Sequence, residues 1–325
     1  MNDIFCRIKN LSFAYEPGVS VLSIDKLELE RGRITTFRGH NGSGKTTLLK
    51  CLGNLLPLSA SSIEIGQEDN TVLVQQEPYL FQGSVKQNLL YPLKFRGIAR
   101  GKDRSARIDE VLDFVGLRGF ERRKARLLSG GEMKRVAIAR ALMAESSVLM
   151  LDEPNANVDR STSRALEELF LRLRDKGITL VISSHDDRLA YRVSDRIIDL
   201  EMGVPVEHFE TILKGEYEHR EGLYSRFVTE GINLFCPSLH GSYTTAVLSA
   251  DDIFLSRDRM MKEGYNQLEG VVEAINDYEA DHHIILLNCG FPVRVRLSGA
   301  AFQLLAPSVG TIFFALISPS AVHLY

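Results

Sequence analysis

The amino-acid sequence predicts an α/β domain followed by a smaller all-β domain. Three observations carry this reading. A glycine-rich loop, Gly39-His40-Asn41-Gly42-Ser43-Gly44-Lys45-Thr46-Thr47, stands between an apolar strand-like run and an apolar helix-like run. Two continuous apolar runs, residues 148–151 and 178–182, end in polar clusters, as buried parallel strands do where they open onto a ligand edge. From Ser242 onward the pattern changes to short strand-like runs punctuated by Gly, Asp and Pro.

The chain's 325 residues allow two domains and a sizeable core, with 44% hydrophobic and 25% charged residues in an ordinary globular balance. A net charge of −3 offers no general basic surface, so no nucleic-acid partner is expected. No apolar run approaches the roughly 18–20 residues that span a bilayer. Residues 1–10 lack the apolar core of a signal peptide. The expected location is the cytoplasm, with any membrane contact made through a partner. Cys6, Cys51, Cys236 and Cys289 are scattered and form no C-x-x-C pair, which reads as reduced thiols.

Residues 3–9 and 20–29 read as strands joined by a turn at 14–18. Tyr15 in that turn is placed either to stack on an adenine or to pack in the core. Residues 33–37 read as a buried strand and 46–52 as a helix, with Leu48, Leu49 and Leu52 on one face. The loop between them fits G-x-x-x-x-G-K-[ST]. Its glycines let the backbone curl so that N–H groups at a helix N-terminus point at phosphates. The candidate cradle is Gly39, Asn41, Gly42, Ser43, Gly44, Lys45, Thr46 and Thr47. Lys45 would reach the β- and γ-phosphates of ATP, and the Thr46 hydroxyl would ligate Mg²⁺.

Residues 61–66 and 71–74 read as short strands, after which Gln75-Gln76-Glu77-Pro78-Tyr79-Leu80-Phe81 leaves the strand pattern. Gln76 either touches a metal-bound water and senses the γ-phosphate, or is a polar loop residue. Residues 84–117 are helical in character, with Ile108, Val111, Leu112 and Val115 as an amphipathic stripe. Arg118, Arg122, Arg123, Lys124 and Arg126 read as a solvated basic face. Next, Ser129 suits a helix N-cap, Gly130 and Gly131 permit close backbone approach, and Glu132 begins the run into a helix over 133–144. This is either a second anion site or a plain cap.

The apolar run 148–151 delivers Asp152 and Glu153 at its C-terminal end. Asp152 would hold Mg²⁺, and Glu153 would polarise an attacking water. Asp159 lies at a turn before a helix over 161–175. The run 178–182 ends in Ser183-Ser184-His185-Asp186, where His185 either contacts a γ-phosphate or takes a surface role.

In this order the motifs resemble the ATPase subunit of ABC transporters, a P-loop, RecA-like fold, over residues 1–205. Gly39 to Thr46 matches Walker A, Leu128 to Glu132 the LSGGE signature, and Val148 to Glu153 Walker B with its catalytic glutamate. Gln76 matches the Q-loop, Asn157 to Asp159 the D-loop, His185 the switch histidine and Tyr15 the adenine-stacking aromatic. His40 and Met133 stand where Pro and Gln are common. The resemblance implies catalytic roles for Glu153, His185, Lys45 and Gln76, and metal binding by Thr46, Gln76 and Asp152. It also implies a head-to-tail homodimer in which one protomer's Walker A faces the other's Ser129 and Gly131, with Gly130, Glu132 and Asp159 among the nucleotide-binding residues. Further implications are a helical subdomain over about 77–145, integral membrane permease subunits as partners, and a periplasmic or extracellular solute-binding protein engaged indirectly. The protein would then be peripheral at the cytoplasmic face of the cell membrane. Tyr79, Leu80 and Phe81 are either a contact for the permease or core of the subdomain.

Residues 206–240 are expected to form a connecting helix, near 206–214, and a linker at Cys236-Pro237-Ser238. Residues 241–325 are expected to form an all-β, OB-like barrel with strands at 244–248, 253–256, 268–275, 283–288, 292–297 and 311–317 and a short helix at 298–305. This segment resembles the TOBE or mop-like domain of importer ATPases at residues 249–256, 266–272 and 314–322, and the last two stretches look most like the molybdate and tungstate branch. Glu263-Gly264-Tyr265 stands where that branch has Ser-Ala-Arg, and Ser318 where a Lys is common. Arg294 and Arg296 share a strand face, which is a solvated basic face or an anion contact. The expected function is ATP-driven import of tungstate or molybdate. The alternatives are import of sulfate, iron, sugar or polyamine, and a soluble ABC ATPase not tied to transport.

Overall fold

Every residue of three strands, β3 (Ile34–Arg38), β6 (Val148–Asp152) and β7 (Thr179–Ser184), is buried. That is why these stretches read as continuous rather than alternating runs. The structure, a computed structural model, describes residues 4–58, 62–66, 69–95, 103–206, 209–229, 231–260, 264–278 and 281–325. It divides into two units, Met1–Glu207 and His208–Tyr325.

In the first unit the remaining strands are β1 (Ile4–Phe13), β2 (Leu22–Glu30), β4 (Ile63–Ile65), β5 (Thr71–Val74), β8 (Arg196–Glu201) and β9 (Val204–Val206). The helices are α1 (Lys45–Leu52), α2 (Val85–Phe95), α3 (Asp103–Phe114), α4 (Gly130–Met143), α5 (Arg160–Asp175) and α6 (Asp187–Val193). The main sheet runs β5-β6-β7-β3-β8-β9, parallel except for the β8–β9 hairpin. A second, antiparallel sheet runs β2-β1-β4. Ile8, Leu22, Phe37, Leu48 and Met150 belong to one apolar cluster that joins α1 and both sheets. Leu89, Leu112, Ile138, Leu151 and Leu166 belong to another that joins the main sheet to the later helices.

The amphipathic stripe of 84–117 falls on α3, where Ile108 and Leu112 are buried, and α2 and α3 both pack on α4. Residues 96–102 of that expected helical stretch lie outside the described residues, as do Met1–Asp3, Ser61 and Glu263. Tyr79 and Phe81 are exposed, whereas Leu80 packs partly against the core. The three therefore divide between the two alternatives. Residues 187–206, which carried no element in the sequence reading beyond the strand before them, form α6, β8 and β9.

The second unit is β-rich. Its elements are β10 (Glu210–Lys214), β11 (Glu216–Glu218), β12 (Tyr224–Thr229), β13 (Ile232–Pro237), β14 (Thr245–Ser249), β15 (Ile253–Ser256), β16 (Asn266–Tyr278), β17 (His282–Asn288), β18 (Pro292–Ser298), α7 (Gly299–Leu305), β19 (Ile312–Ile317) and β20 (Val322–Leu324). They form sheets in the orders β15-β19-β16-β17-β18, β10-β14-β20 and β11-β12-β13.

The connecting helix expected near 206–214 is strand β10, and the expected linker Cys236-Pro237-Ser238 contains the end of β13. Residues 207–208 lie outside the described residues. The physical reason is period. Thr211 and Leu213 are buried and alternate with less buried neighbours, and β10 pairs with β14 through Glu210↔Ser249 to Lys214↔Thr245. Five residues are too few to separate a strand from a helix by pattern, and the partner strand lies far along the chain. Arg294 and Arg296 do share a face of β18. Arg296 pairs with Asp251 at 3.2 Å and lies over the Tyr278 ring.

Arg38, the last residue of β3, is a buried charge at the entrance to the glycine loop. Its guanidinium donates to Asp199 at 2.7 and 2.9 Å and to Asp187 at 3.1 Å. Burial works against its charge, but the hydrogen bonds to Asp199 and the Tyr191 hydroxyl outweigh it and hold Arg38 protonated. Removing one partner of such a pair leaves the other charge uncompensated, whereas replacing both with apolar groups does not. Arg38→Met is therefore expected to destabilise the chain by roughly 3–5 kcal/mol in denaturant unfolding. The double variant Arg38→Met/Asp199→Leu should recover most of that loss. A double variant as unstable as the single one would show that the pair is not the origin of the effect.

Candidate functional site

The parallel register brings the ends of β3, β6 and β7 to one edge. Arg38 pairs with Ser184, and Asp152 pairs with Ser183. The residues that follow these strands therefore meet: the glycine loop after β3, Glu153 after β6 and His185 after β7.

The loop has the shape that phosphate binding needs. Gly39, Gly42 and Gly44 have φ of 153°, 86° and 100°, the region that side chains other than glycine avoid. A Cβ at Gly39 would collide with the Leu200 carbonyl oxygen, and one at Gly44 would press on Val21 and Leu22. Gly44 in its left-handed conformation starts α1, so the loop amides converge at a helix N-terminus. Lys45 is buried, and its Nζ donates to the carbonyls of Gly39 at 2.7 Å and His40 at 3.0 Å. Ser43 is buried too, and its Oγ has no hydrogen-bond partner. A buried hydroxyl without a partner beside convergent amides is a cradle whose ligand completes its bonding. Asn41 and Gly42 are exposed at the loop's crest.

Tyr15 caps this group. Its ring meets Phe13 edge-on at 5.0 Å, and its hydroxyl lies 3.3 Å from Thr47 Oγ1. Tyr15 is 57% exposed beside the start of α1. Core packing is thus not its main role, since Phe13 takes the buried position.

The carboxylates are linked to the loop directly. Thr46 Oγ1 donates to Asp152 Oδ1 at 2.9 Å, and Ser183 Oγ donates to the same oxygen at 2.6 Å. A hydroxyl and a carboxylate side by side are the hard oxygen donors that Mg²⁺ takes when phosphates and water complete its shell. The residues present therefore fit that ion, with Thr46 and Asp152 as its holders. Gln76 lies exposed just beyond β5, the strand paired with β6.

Glu153 is the constrained member of the site. Its φ is 44°, a left-handed backbone that costs a non-glycine residue about 1–3 kcal/mol and persists only where neighbours over-determine it. Its N–H donates to the Ser183 carbonyl at 3.1 Å and to Ser183 Oγ at 3.0 Å. Its carboxylate lies 3.6 Å from Lys45 Nζ and 2.8 Å from His185 Nδ1. Glu153 is buried whereas His185 is exposed, so the histidine covers the carboxylate from the solvent side. Lys45, Thr46, Asp152, Glu153 and His185 thus form one connected group.

The glycines around the signature lie in a separate group. Ser129 N-caps α4 in a capping box: its Oγ accepts from the Glu132 N–H at 3.3 Å, and Glu132 Oε2 accepts from the Ser129 N–H at 2.8 Å. Arg123 pairs with Glu132 at 3.1 Å, so one residue of the basic stretch has a specific partner. Gly130 is exposed with open space around it, whereas a Cβ on Gly131 would collide with Thr162. Thr162 Oγ1 in turn donates to Asp159 Oδ2 at 2.8 Å. Asp159 N-caps α5, and hydrogen bonds from the Ser161 hydroxyl and from Thr162 hold its carboxyl well below the usual carboxylate range. The structure therefore shows Ser129, Glu132 and Asp159 engaged in helix capping, with the Gly130 backbone open.

Two residues of this region escaped the sequence reading. Ser183 is a small polar residue at a strand end and gives no signal until the register sets it beside Asp152. Lys134 sits in a helix rich in Ala and Arg and reads as solvated, yet it is buried. Its Nζ donates to the carbonyls of Ala156 at 2.6 Å and Pro154 at 2.8 Å, with that of Glu153 at 3.4 Å. Burial pulls its ammonium below the ordinary lysine range, while the Glu153 and Glu77 carboxylates pull it back up.

Comparison with known proteins agrees with this geometry. The ABC transporter family model matches residues 22–156. The chain is 34% identical over 203 residues to the tungstate uptake system ATP-binding protein TupC of Peptoclostridium acidaminophilum, covering 60% of this chain and 94% of that protein. It is 35% identical over 213 residues to the Fe(3+) ions import ATP-binding protein FbpC of Pasteurella multocida, covering 62% of this chain and 60% of that one. To the sulfate/thiosulfate import ATP-binding protein CysA of Xylella fastidiosa strain 9a5c it is 36% identical over 214 residues, covering 61% and 60%. The chain thus spans less than two thirds of the length of the iron and sulfate relatives. Among solved structures, it resembles cbiO1 of Clostridium perfringens, part of the ABC transporter complex cbiONQ, with a TM-score of 0.58 and 26% identity over 63% of this chain and 88% of that one. It also resembles the ATP-binding cassette MJ0796, solved as a dimer in a post-hydrolysis state with ADP and Pi, with a TM-score of 0.56 and 28% identity over 62% and 97%. A glycine loop, paired carboxylates and a capped signature helix on the matched fold lead to one conclusion: the chain belongs to the family of ABC transporter ATP-binding proteins.

Proposed function

We propose that the chain hydrolyses ATP and couples that reaction to import of tungstate or molybdate through membrane permease subunits. The observation that carries the hydrolytic reading is the connected group Lys45, Thr46, Asp152, Glu153 and His185, built where three parallel strands end.

In this reading the loop amides and Lys45 bind and orient the β- and γ-phosphates, and the exposed ring of Tyr15 stacks on the adenine. Mg²⁺, held by Thr46 and Asp152 with Gln76 at the adjacent strand edge, supplies positive charge that offsets charge on the phosphates. Glu153 accepts a proton from water as the water oxygen bonds to the γ-phosphorus. The bond from that phosphorus to the β–γ bridging oxygen breaks, and ADP leaves. Phosphoryl transfer of this kind rests on positioning and charge neutralisation. Lys45 and His185 both lie against the Glu153 carboxylate. Both are donors for which a γ-phosphate competes, so nucleotide entry draws them off and leaves Glu153 to the water.

A second copy of the chain supplies Ser129, Gly130 and Gly131 to the opposite side of each nucleotide. The open Gly130 backbone at the N-terminus of α4 supports this. Exposed Tyr79 and Phe81, close to the Q-loop, are the surface offered to a permease. The proposed place is peripheral, at the cytoplasmic face, held there by the permease; no helix among the described residues is long and apolar enough to cross a membrane. The second unit is read as a TOBE or mop-like domain.

Support for the oxyanion comes from the tungstate relative, whose length is matched almost throughout. It also comes from the resemblance of residues 266–272 and 314–322 to the molybdate and tungstate branch. Sulfate or ferric iron is the second reading, favoured by relatives of 36% and 35% identity against 34% for the tungstate relative.

Glu153→Gln is expected to retain ATP binding while turnover falls about 10²- to 10⁴-fold, the usual weight of general-base assistance; unchanged turnover removes Glu153 from that role. Tyr15→Ala should weaken ATP binding by roughly 1–3 kcal/mol, the range for base–aromatic stacking, in equilibrium titration, with no change in the Glu153-dependent step. Elemental mass spectrometry of cells carrying the native chain or Lys45→Ala tests the substrate. A selective fall in tungsten or molybdenum supports the oxyanion reading, a fall in sulfur or iron moves it to the second reading, and no change in any of the four removes both.

A further inference from the structure

We propose that Lys134 is a positioning residue that ties the signature helix to the general-base loop, so that nucleotide docking on the N-terminus of α4 sets the orientation of Glu153 in the same chain. This rests on the hydrolytic reading above.

Among the described residues, no carboxylate lies within hydrogen-bonding distance of the Lys134 ammonium. Its three donors point at three carbonyl oxygens of one short turn, those of Glu153, Pro154 and Ala156. A buried lysine wired to a single turn is an unusual use of a charge that favours solvent. What the turn needs is clear from Glu153, whose left-handed backbone is fixed on its N-terminal side by Ser183. On the C-terminal side of Glu153, Lys134 supplies the matching constraint. Together they hold the carboxylate between Lys45 and His185.

The other end of the connection is the helix itself. Lys134 lies three residues after Gly131 and four after Gly130, so all three fall on one face of α4. Gly131 packs so closely on Thr162 that a Cβ would not fit, and Thr162 is bonded to Asp159. The first turns of α4 therefore grip the segment from Glu153 to Thr162 at two places, through Lys134 and through Gly131. A shift of that helix end on meeting a nucleotide held by a second copy is passed to Glu153 by direct contact. The occupancy of one site is thereby reported to the carboxylate of the other.

The test uses the full chain and four variants: Lys134→Met, which keeps most of the stem and removes the donors; Lys134→Gln, which keeps donors; Glu153→Gln; and the double variant Lys134→Met/Glu153→Gln. Lys134→Met should bind ATP within about twofold of the native affinity while kcat falls roughly 10²-fold, the effect of a displacement of about 1 Å at a reacting group. Lys134→Gln should recover a large part of that loss. In the Glu153→Gln background, Lys134→Met should change the residual single-turnover rate by less than about twofold, because the group through which it acts is already gone. A purely structural role predicts instead that Lys134→Met slows both backgrounds equally, and that result overturns the proposal, as does native kcat in Lys134→Met. If Lys134→Met does not fold, the same comparison is made with Lys134→Leu, which also lacks the donors, and equal slowing of both backgrounds or native kcat in that variant overturns the proposal in the same way. A native chain that binds ATP without hydrolysing it removes the proposed function itself, whereas an active native chain with an equally active Lys134→Met removes only the role of Lys134.

Discussion

The register of three parallel strands, β3, β7 and β6, is the constraint on which the rest of the structure depends. It sets Arg38 level with Ser184 and Asp152 level with Ser183. Strands that run the same way end on the same side, so the glycine loop, the two carboxylates and the histidine all leave the sheet at one height. A slip of one residue in any of the three would turn its terminal side chain to the opposite face. The contacts Thr46–Asp152, Ser183–Asp152 and His185–Glu153 would then be lost together. Burial on both faces holds the register, because each of the three strands is packed along its full length.

Putting charges at that edge demands compensation, and the structure supplies it locally. Lys45 leans on loop carbonyls, Arg38 on Asp199 and Asp187, and Lys134 on the turn after Glu153. The Arg38 and Lys134 pairings also join segments distant in sequence. Arg38 connects the entrance of the phosphate loop to the first turn of α6, close behind the histidine. Lys134 connects the signature helix to the strained glutamate. The groups that stabilise buried charge are therefore also the groups through which a ligand at one segment is felt at another.

The second unit follows a different logic. Its long strands alternate buried and less buried positions, and β16 pairs with both β17 and β19 to form the middle of a five-stranded sheet. Its strands from 244 to 317 were legible because alternation and turn residues repeat along that stretch. The segment 209–240 was not, because its strands are short and three of them pair in a local meander whose pattern is weak. The same limit applies to solute choice. The motifs that define the nucleotide chemistry are dense and specific, whereas nothing comparable in residues 241–325 specifies an ion.

Taken by itself, the sequence determined the parallel α/β core, the glycine loop and the identity of the residues at the strand ends. Apolar runs, glycine at left-handed positions and an N-cap before a helix are local chemistry, readable within ten residues. Only the tertiary structure decided which of those residues meet. It joined Glu153 to His185 and Lys45, made Asp159 a helix cap, and buried Lys134 and Arg38, which look solvated in one dimension. Whether a lysine is a surface charge or the clasp of a turn depends on what the sheet and its helices bring against it. That is a property of strand order and register, which no local window contains.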